Sequence, residues 1–327
     1  MPRSARPRAY DNLPSERYQG RASFGSEPPS KTKRKEIAEE TLFRTPAVLQ
    51  TMGFSEQPDS IFFSSQLDDL DRSARPGYPR PPIKVRYGDT FSLARELLES
   101  RPDYTGKVAV LNCASDTELA GGWRHRSGTT QEDALCYSST LWPILEKWSG
   151  RYPWRRTTQV DREGNPGECA GIFHPNVVIF RDELANDCHV LDRKDWATVS
   201  VVSVAALACP PLVPAVAPKS RGARGHSDDW QDMQLKLDKD VLRLKERWRM
   251  ILRMAAIQEK SVLLLAAIGS GVWKCPPRQI AELLKDYLQE AEFQGWFEDV
   301  WVGIYDRKVY DIWREVLESE SGASNSS

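Results

Sequence analysis

The sequence predicts an α/β layer sandwich. Short apolar runs of strand length alternate with amphipathic, helix-length segments from Ile83 onward, the pattern of a sheet covered by helices. Some runs, Val108–Leu111 most clearly, are continuously apolar, as strands buried on both faces are. The glycines cluster after later strands, and no GxGxxG follows the first, which argues against a dinucleotide-binding doubly wound sheet. No internal repeat is visible, and one domain is the simplest organisation.

Taken in order, Met1 to about Ser30 is rich in Arg, Pro, Ser and Gly and poor in large apolar residues. Such a segment buries too little surface to offset its ordering entropy and is expected to be disordered. It runs into Lys31-Thr32-Lys33-Arg34-Lys35, a cluster readable as a nuclear-import signal or as a solvated helix start. Helical periodicity begins near Lys35 and is expected to end before Pro46. A Ser/Pro/Asp/Arg-rich stretch from about Ser55 to Pro82 reads as a long loop. Strands are expected at Ile83–Tyr87, Lys107–Cys113, Asn176–Phe180, Thr198–Leu207, Ser261–Ala267 and Val300–Tyr305. Helices are expected at Phe91–Leu98, Gln131–Trp148, Asp228–Lys260, Arg278–Phe293 and Lys308–Leu317. In the longest, Trp230, Met233, Leu237, Val241, Leu244, Trp248, Ile251 and Ala255 form a core-packing stripe, with Ser227 and Asp228 suited to cap it. The domain expectation is a basic tail over 1–34, one folded domain over 35–318 and a short disordered tail over 319–327.

Composition narrows the function. With 40% hydrophobic and 28% charged residues and a formal net charge of -1, the chain reads as an ordinary globular protein. A basic, aromatic-interleaved face is not identifiable, so direct nucleic-acid binding is not expected. No apolar run of membrane-spanning length or secretory leader is read. The six cysteines show no CxxC pairing and the four histidines no HExxH or HxH unit. Reduced thiols in the nucleus or cytoplasm are therefore expected, with no metal and no cofactor.

The chemistry concentrates in VAVLNCASDTELAGGWRHRSGTTQEDALCYSSTL, residues 108–141. A buried strand is followed by Gly121-Gly122 and then by a helix that opens with carboxylates. Glycines after a strand let backbone N–H groups approach a phosphate, and a helix N-terminus adds positive partial charge. Alone, the acids Glu132 and Asp133 would be read as favourable first-turn charges.

The whole segment, however, resembles the signature of poly(ADP-ribose) glycohydrolases, GGG, about eight residues, then QEE. Here it reads Ala120-Gly121-Gly122, eight residues, then Gln131-Glu132-Asp133. RYGDT at Arg86–Thr90, NVVIFRD at Asn176–Asp182, LLLAAIGSGVWKCPP at Leu263–Pro277 and VGIYD at Val302–Asp306 are similar to the microbial-type branch in the same order.

The resemblance implies a macrodomain-like three-layer sandwich, a mixed sheet flanked by helices, with ADP-ribose across the carboxyl ends of its strands. It implies that Asp89 accepts from the adenine amino group while also capping a helix, and that Ser115 lies near the distal ribose. Gly121 and Gly122 would form one phosphate loop. Gly269, Ser270, Gly271 and Val272 would form the other, with Trp273 walling a ribose. The implied partner is ADP-ribose or poly(ADP-ribose) on modified proteins. The implied reaction is hydrolysis of the ribose–ribose O-glycosidic bond, one carboxyl protonating the leaving oxygen and then activating water. By position Gln131 and Glu132 would orient substrate hydroxyls and Asp133 would be the acid.

Asp133 departs from the family's Glu. Its carboxyl is withdrawn by up to roughly 1.5 Å, and misplacement of about 1 Å can cost on the order of 10²-fold in rate. Three readings follow: a working glycohydrolase, a reader that binds ADP-ribose without cutting, or a hydrolase of another ADP-ribose derivative. Ala120, in place of a glycine, restricts the loop if that position needs positive φ. Cys136 is expected to be a buried structural thiol. The stretch Trp142–Trp154, with Arg151, Arg155 and Arg156, reads either as a cover for the site or as packing.

Overall fold

The computed structural model describes residues 27–54, 59–154, 169–215 and 230–318. Its elements are α1 (Lys31–Thr51), β1 (Ile61–Phe63), β2 (Ile83–Tyr87), α2 (Thr90–Ser100), β3 (Val108–Ala114), α3 (Trp123–Arg126), α4 (Gln131–Ser138), α5 (Leu141–Glu146), β4 (Gly171–Ile179), β5 (Ala197–Ala205), β6 (Leu212–Pro214), β7 (Met233–Leu235), α6 (Asp238–Ile257), β8 (Val262–Ala266), α7 (Pro277–Tyr287), β9 (Asp299–Ile304) and α8 (Arg307–Glu318).

Seven strands form one sheet in the order β1-β4-β5-β3-β8-β9-β2. The five from β5 to β2 run parallel, while β4 and β1 are antiparallel to their neighbours. The sheet is therefore mixed. Its central strands are apolar on both faces because both are covered. One face packs Leu244, Trp248, Ile251, Ile280, Leu284 and Trp313 from α6, α7 and α8. The other packs Ile37, Phe91, Leu97, Leu135, Tyr137 and Leu141 from α1, α2, α4 and α5. This is the expected three-layer sandwich, and no described helix is long and apolar enough to cross a membrane.

Several elements differ from expectation. The loop expected over 55–82 contains β1, three residues that pair with Gly171–Phe173, too short for periodicity to reveal. Helix α1 begins at Lys31, capped by Ser30, so residues 31–34 are not part of a tail. It also runs through Pro46, which lies on the exposed face, where a carbonyl freed of its N–H partner can meet water. The expected helix 131–148 breaks at Ser139-Thr140. Thr140 exchanges backbone and side-chain hydrogen bonds with Val178 of β4, and this pairing cannot coexist with helix. The helix expected from Asp228 starts at Asp238, and Trp230 and Met233 lie before it, Met233 in a hairpin of β6 with β7. Helix α7 stops at Tyr287, short of Phe293. Ser227, Asp228, Arg155, Arg156, most of the N-terminal tail and the stretch 319–327 lie outside the described residues.

Candidate active site

The site arises where β3 and β8 part. Their pairing covers only Val108–Val110 against Val262–Leu264, so the backbone of β3 beyond Val110 lacks a strand on that side. Gln131, the first residue of α4, fills the place. Its Nε2 donates to the Leu111 carbonyl at 2.8 Å and its Oε1 accepts from the Cys113 N–H at 2.9 Å. A third bond, to Thr90 Oγ1 at 3.4 Å, ties α4 to α2. Gln131 therefore engages the protein with both ends of its amide.

The next two residues diverge. Glu132 turns into the gap between the strands and is 3% exposed. Its Oε1 accepts from Asn112 Nδ2 at 3.1 Å and its Oε2 from the Ser115 N–H at 3.0 Å. A Cβ placed on Gly121 would lie 3.4 Å from Oε2, so the carboxyl sits directly beneath the first glycine loop. Burial pushes its pKa up to about 8, against the pull of the two hydrogen bonds.

Asp133 folds back instead. Its Oδ2 accepts from the Thr130 N–H at 2.9 Å and the Thr130 hydroxyl at 2.6 Å, closing a capping box at the start of α4. Its Oδ1 is buried without a hydrogen-bond partner. Burial pushes this pKa up to about 6, opposed by the Thr130 bonds and the positive charges of Arg34 and Arg126. Consecutive helical residues leave the axis about 100° apart, so Glu132 faces the gap while Asp133, at the third helical position, closes the box.

Behind Glu132 lies a polar seam that sequence reasoning missed. Asn112 also donates to Ser203 Oγ at 3.0 Å, and Ser203 Oγ meets His174 Nε2 at 3.0 Å. Asn112, Ser203 and His174 belong to the adjacent strands β3, β5 and β4, and all are fully buried. Burial drives the His174 pKa down to about 3, so the ring is neutral. With Asn112 donating to Ser203, the hydroxyl proton is left for Nε2. The only signal in the sequence was a polar residue inside each of three apolar runs.

The two glycine loops flank this gap. In the first, Ala120, Gly121 and Gly122 have φ of 47°, 59° and 80°. Ala120 does occupy the positive-φ region, a strained conformation costing on the order of 1–2 kcal/mol for a residue with a Cβ. The second follows β8. Gly269 has φ 74°, Ser270 is buried, and Gly271 and Val272 are exposed. Trp273 is half-buried against the core. The Gly269 N–H bonds the Cys113 sulfur, which joins the second loop to the end of β3. Ser115 follows at once; its Oγ accepts from the Thr117 and Glu118 N–H groups at 3.3 and 3.2 Å and so shapes the first loop.

Asp89 stands on the β2 side of the same sheet edge. Its Oδ1 caps α2 through the Phe91 and Ser92 N–H groups at 2.9 and 3.0 Å. Burial and the nearby Asp182 raise its pKa against those hydrogen bonds. Tyr305, at the end of β9, stacks on Tyr87 at 6.0 Å between ring centres and adds an aromatic surface there. The expected residues thus fall along one edge: Asp89 at the β2 end, both loops in the middle, and Glu132 under the first loop. Cys136 is fully buried with a strongly raised pKa, as expected of a structural thiol. Trp142 and Trp154 are buried in the core on the α4 side.

Residues 25–182 match the family model "Microbial-type PARG, catalytic domain". That stretch belongs to the microbial-type poly(ADP-ribose) glycohydrolase family. The structure is similar to poly(ADP-ribose) glycohydrolase from Thermomonospora curvata bound to the inhibitor ADP-HPD. That likeness has TM-score 0.60 and 22% identity, covering 87% of this chain and 99% of that one. It is also similar to poly(ADP-ribose) glycohydrolase from Deinococcus radiodurans in complex with ADP-ribose, with TM-score 0.54 and 26% identity over 76% of this chain and 88% of that one. No curated protein matches the chain. The glycohydrolase family model ends at Asp182, so it spans Asp89, the first loop and the acid pair, whereas the second loop is joined to them by the fold.

Proposed function

We propose that this protein binds ADP-ribose and hydrolyses the ribose–ribose O-glycosidic bond of poly(ADP-ribose). The observation that carries the reading is Glu132, a buried carboxyl placed between two glycine loops and holding a proton at neutral pH. The ADP-ribose and inhibitor complexes of the family's structures support the choice of ligand. Diphosphate would lie between the loops after β3 and β8, adenine toward Asp89 and Tyr305, and the distal ribose over Glu132, Ser115 and Trp273. In hydrolysis the ribose C–O bond breaks as Glu132 gives its proton to the leaving oxygen. The carboxylate so formed then takes a proton from the water that adds to the ribose carbon. Asp133 remains the cap that fixes the start of α4 and keeps Glu132 in place. The six free cysteines support a nuclear or cytoplasmic setting.

The capping box also favours a second reading, a reader that binds ADP-ribose without cutting, because Asp133 is held back from the loops. Release of ADP-ribose from an automodified, poly(ADP-ribosyl)ated protein, followed by mass spectrometry, decides between them. Turnover in the wild type, loss in Glu132→Gln and persistence in Asp133→Asn would establish Glu132 as the acid. Turnover lost in Asp133→Asn and raised in Asp133→Glu would return that role to position 133. No turnover in any protein that still binds ADP-ribose leaves the reader.

A further inference from the structure

The two glycines of the first loop turn the places of their missing side chains toward different neighbours. A Cβ on Gly121 would lie 3.4 Å from the Glu132 carboxyl. One on Gly122 would meet Glu118 Oε1 at 2.8 Å and Arg126 Nε at 2.9 Å. Glu118 and Arg126 are themselves an ion pair, Arg126 Nη2 donating to Glu118 Oε2 at 2.5 Å. Glu118 precedes the loop and Arg126 is the last residue of α3 behind it, so the pair spans the whole turn and lies directly on Gly122.

The backbone under both residues is anchored without the pair. The Glu118 carbonyl accepts from the Gly121 N–H at 3.0 Å, and the Glu118 N–H donates to Ser115 Oγ at 3.2 Å. Just beyond Arg126, the Ser127 N–H returns to the Trp123 carbonyl at 3.0 Å, and the Ser127 carbonyl accepts from the buried Arg34 at 2.8 Å. The charged tips stand in water instead: the Arg126 side chain is 66% exposed and that of Glu118 39%. Exposed pairs of this kind contribute little to stability, so exchanging one partner costs little. The Arg126 charge also reaches the acid pair, where burial raises the Asp133 pKa and Arg126 is among the charges that oppose the rise. A guanidinium lying on a glycine loop adds to the backbone donors a planar fork that fits two phosphate oxygens at once. The Glu118 carboxylate occupies that fork as an anionic ligand would.

We propose that Arg126 is a diphosphate-binding residue of this site and that Glu118 is its placeholder, exchanged for the ligand when ADP-ribose enters. This rests on the reading that the diphosphate lies against the first glycine loop. In the free protein Glu118 satisfies the guanidinium and keeps it over Gly122. On binding, the fork turns to the phosphate oxygens and Glu118 is released to water. The exchange selects for a diphosphate, because a neutral ligand cannot replace the carboxylate. It also restrains affinity, since each binding event separates the pair and leaves a free carboxylate near the ligand's own charge.

Removing one partner or the other should therefore have opposite effects, which an ion pair that only shapes the loop would not produce. The test is calorimetry of ADP-ribose with the full chain across a salt series. Glu118→Gln should bind about threefold tighter than wild type at low salt. Arg126→Gln should bind about tenfold more weakly, with a flatter salt dependence. Arg126→Lys, which keeps the charge and loses the fork, should fall between wild type and Arg126→Gln. Both positions are exposed, and melting curves check that each variant is folded. Unchanged or weaker binding in Glu118→Gln would overturn the exchange, and that variant decides the matter even if the Arg126 variants do not fold. Unchanged or tighter binding in Arg126→Gln would overturn it equally. Failure of the wild type to bind ADP-ribose would instead strike the site reading itself.

Discussion

Replacing Glu132 by Gln should remove a loss of stability that the wild-type protein suffers as pH rises from 6 to 8. In the folded chain the carboxyl titrates near 8, against an ordinary glutamate value of 4.5. Between those values the folded state keeps a proton that the unfolded state has lost, so stability falls with rising pH at up to about 1.4 kcal/mol per pH unit. The accumulated cost is about 3 kcal/mol at pH 7 and approaches about 5 kcal/mol above pH 8, before relaxation and water entry reduce it. Gln keeps the shape and carries no titrating proton, so its stability should not show this slope. Asp133 titrates lower, between 3.8 and about 6, so its contribution is spent before the informative window of pH 6 to 8. Urea unfolding at half-unit pH steps measures both slopes. Parallel curves for wild type and Glu132→Gln would show that the carboxyl is ionised in the folded protein, and the proposed acid would lose its proton and its role together.

Two glycines of the second loop should separate ligand contact from folding. A Cβ on Gly271 meets nothing within 4 Å, so Gly271→Val should change stability by less than about 0.5 kcal/mol while ADP-ribose affinity falls at least about tenfold by calorimetry; undiminished affinity would remove this loop from the site. Gly269 has φ 74°, and a Cβ there would lie 2.8 Å from the Cys275 sulfur and 2.9 Å from the Ala206 Cβ. Gly269→Ala should therefore destabilise by about 2–3 kcal/mol, and an unchanged melting temperature would contradict that crowding. Ser203→Ala cuts the seam between Asn112 and His174 and should cost about 1–3 kcal/mol. Because it frees Asn112 to swing, it should also displace the alkaline limb of the pH–rate profile without altering ADP-ribose affinity; an unmoved limb would reduce the seam to packing.

Legibility in the sequence followed the size of each signal. Strands β3, β5, β8 and β9 are largely buried runs bounded by turns, β2 is a partly buried one, and all five lie within a residue or two of expectation. Strands β1, β6 and β7 are three residues each, and their existence depends on partners distant in sequence. The break after Ser138 was hidden because Thr140 has a helical context locally and is claimed by β4 from a distance. The candidate site shows the same division. Gly121, Gly122, Gly269 and Asp89 declare themselves by chain position, since turns and caps are local. The roles of Gln131, Glu132 and Asp133 do not, because consecutive residues on a helix diverge by about 100° and only the fold says which faces the gap. Asn112, Ser203 and His174 come from three strands and meet only once the sheet is assembled.

Arg34 places the boundary of the working unit. It is 7% exposed, and its guanidinium donates to the Ser127 and Pro29 carbonyls. Ser127 begins the short span to Thr130 whose Gly128 lies against the Asp133 carboxyl. The five-residue basic run is thus divided in use: its lysines face water, while its arginine is a rivet through the roof over the acid pair. A chain trimmed where the composition changes, at Lys35, would discard that rivet along with the tail. Trimming ahead of Glu27 would keep it, together with the Pro29 carbonyl that it grips.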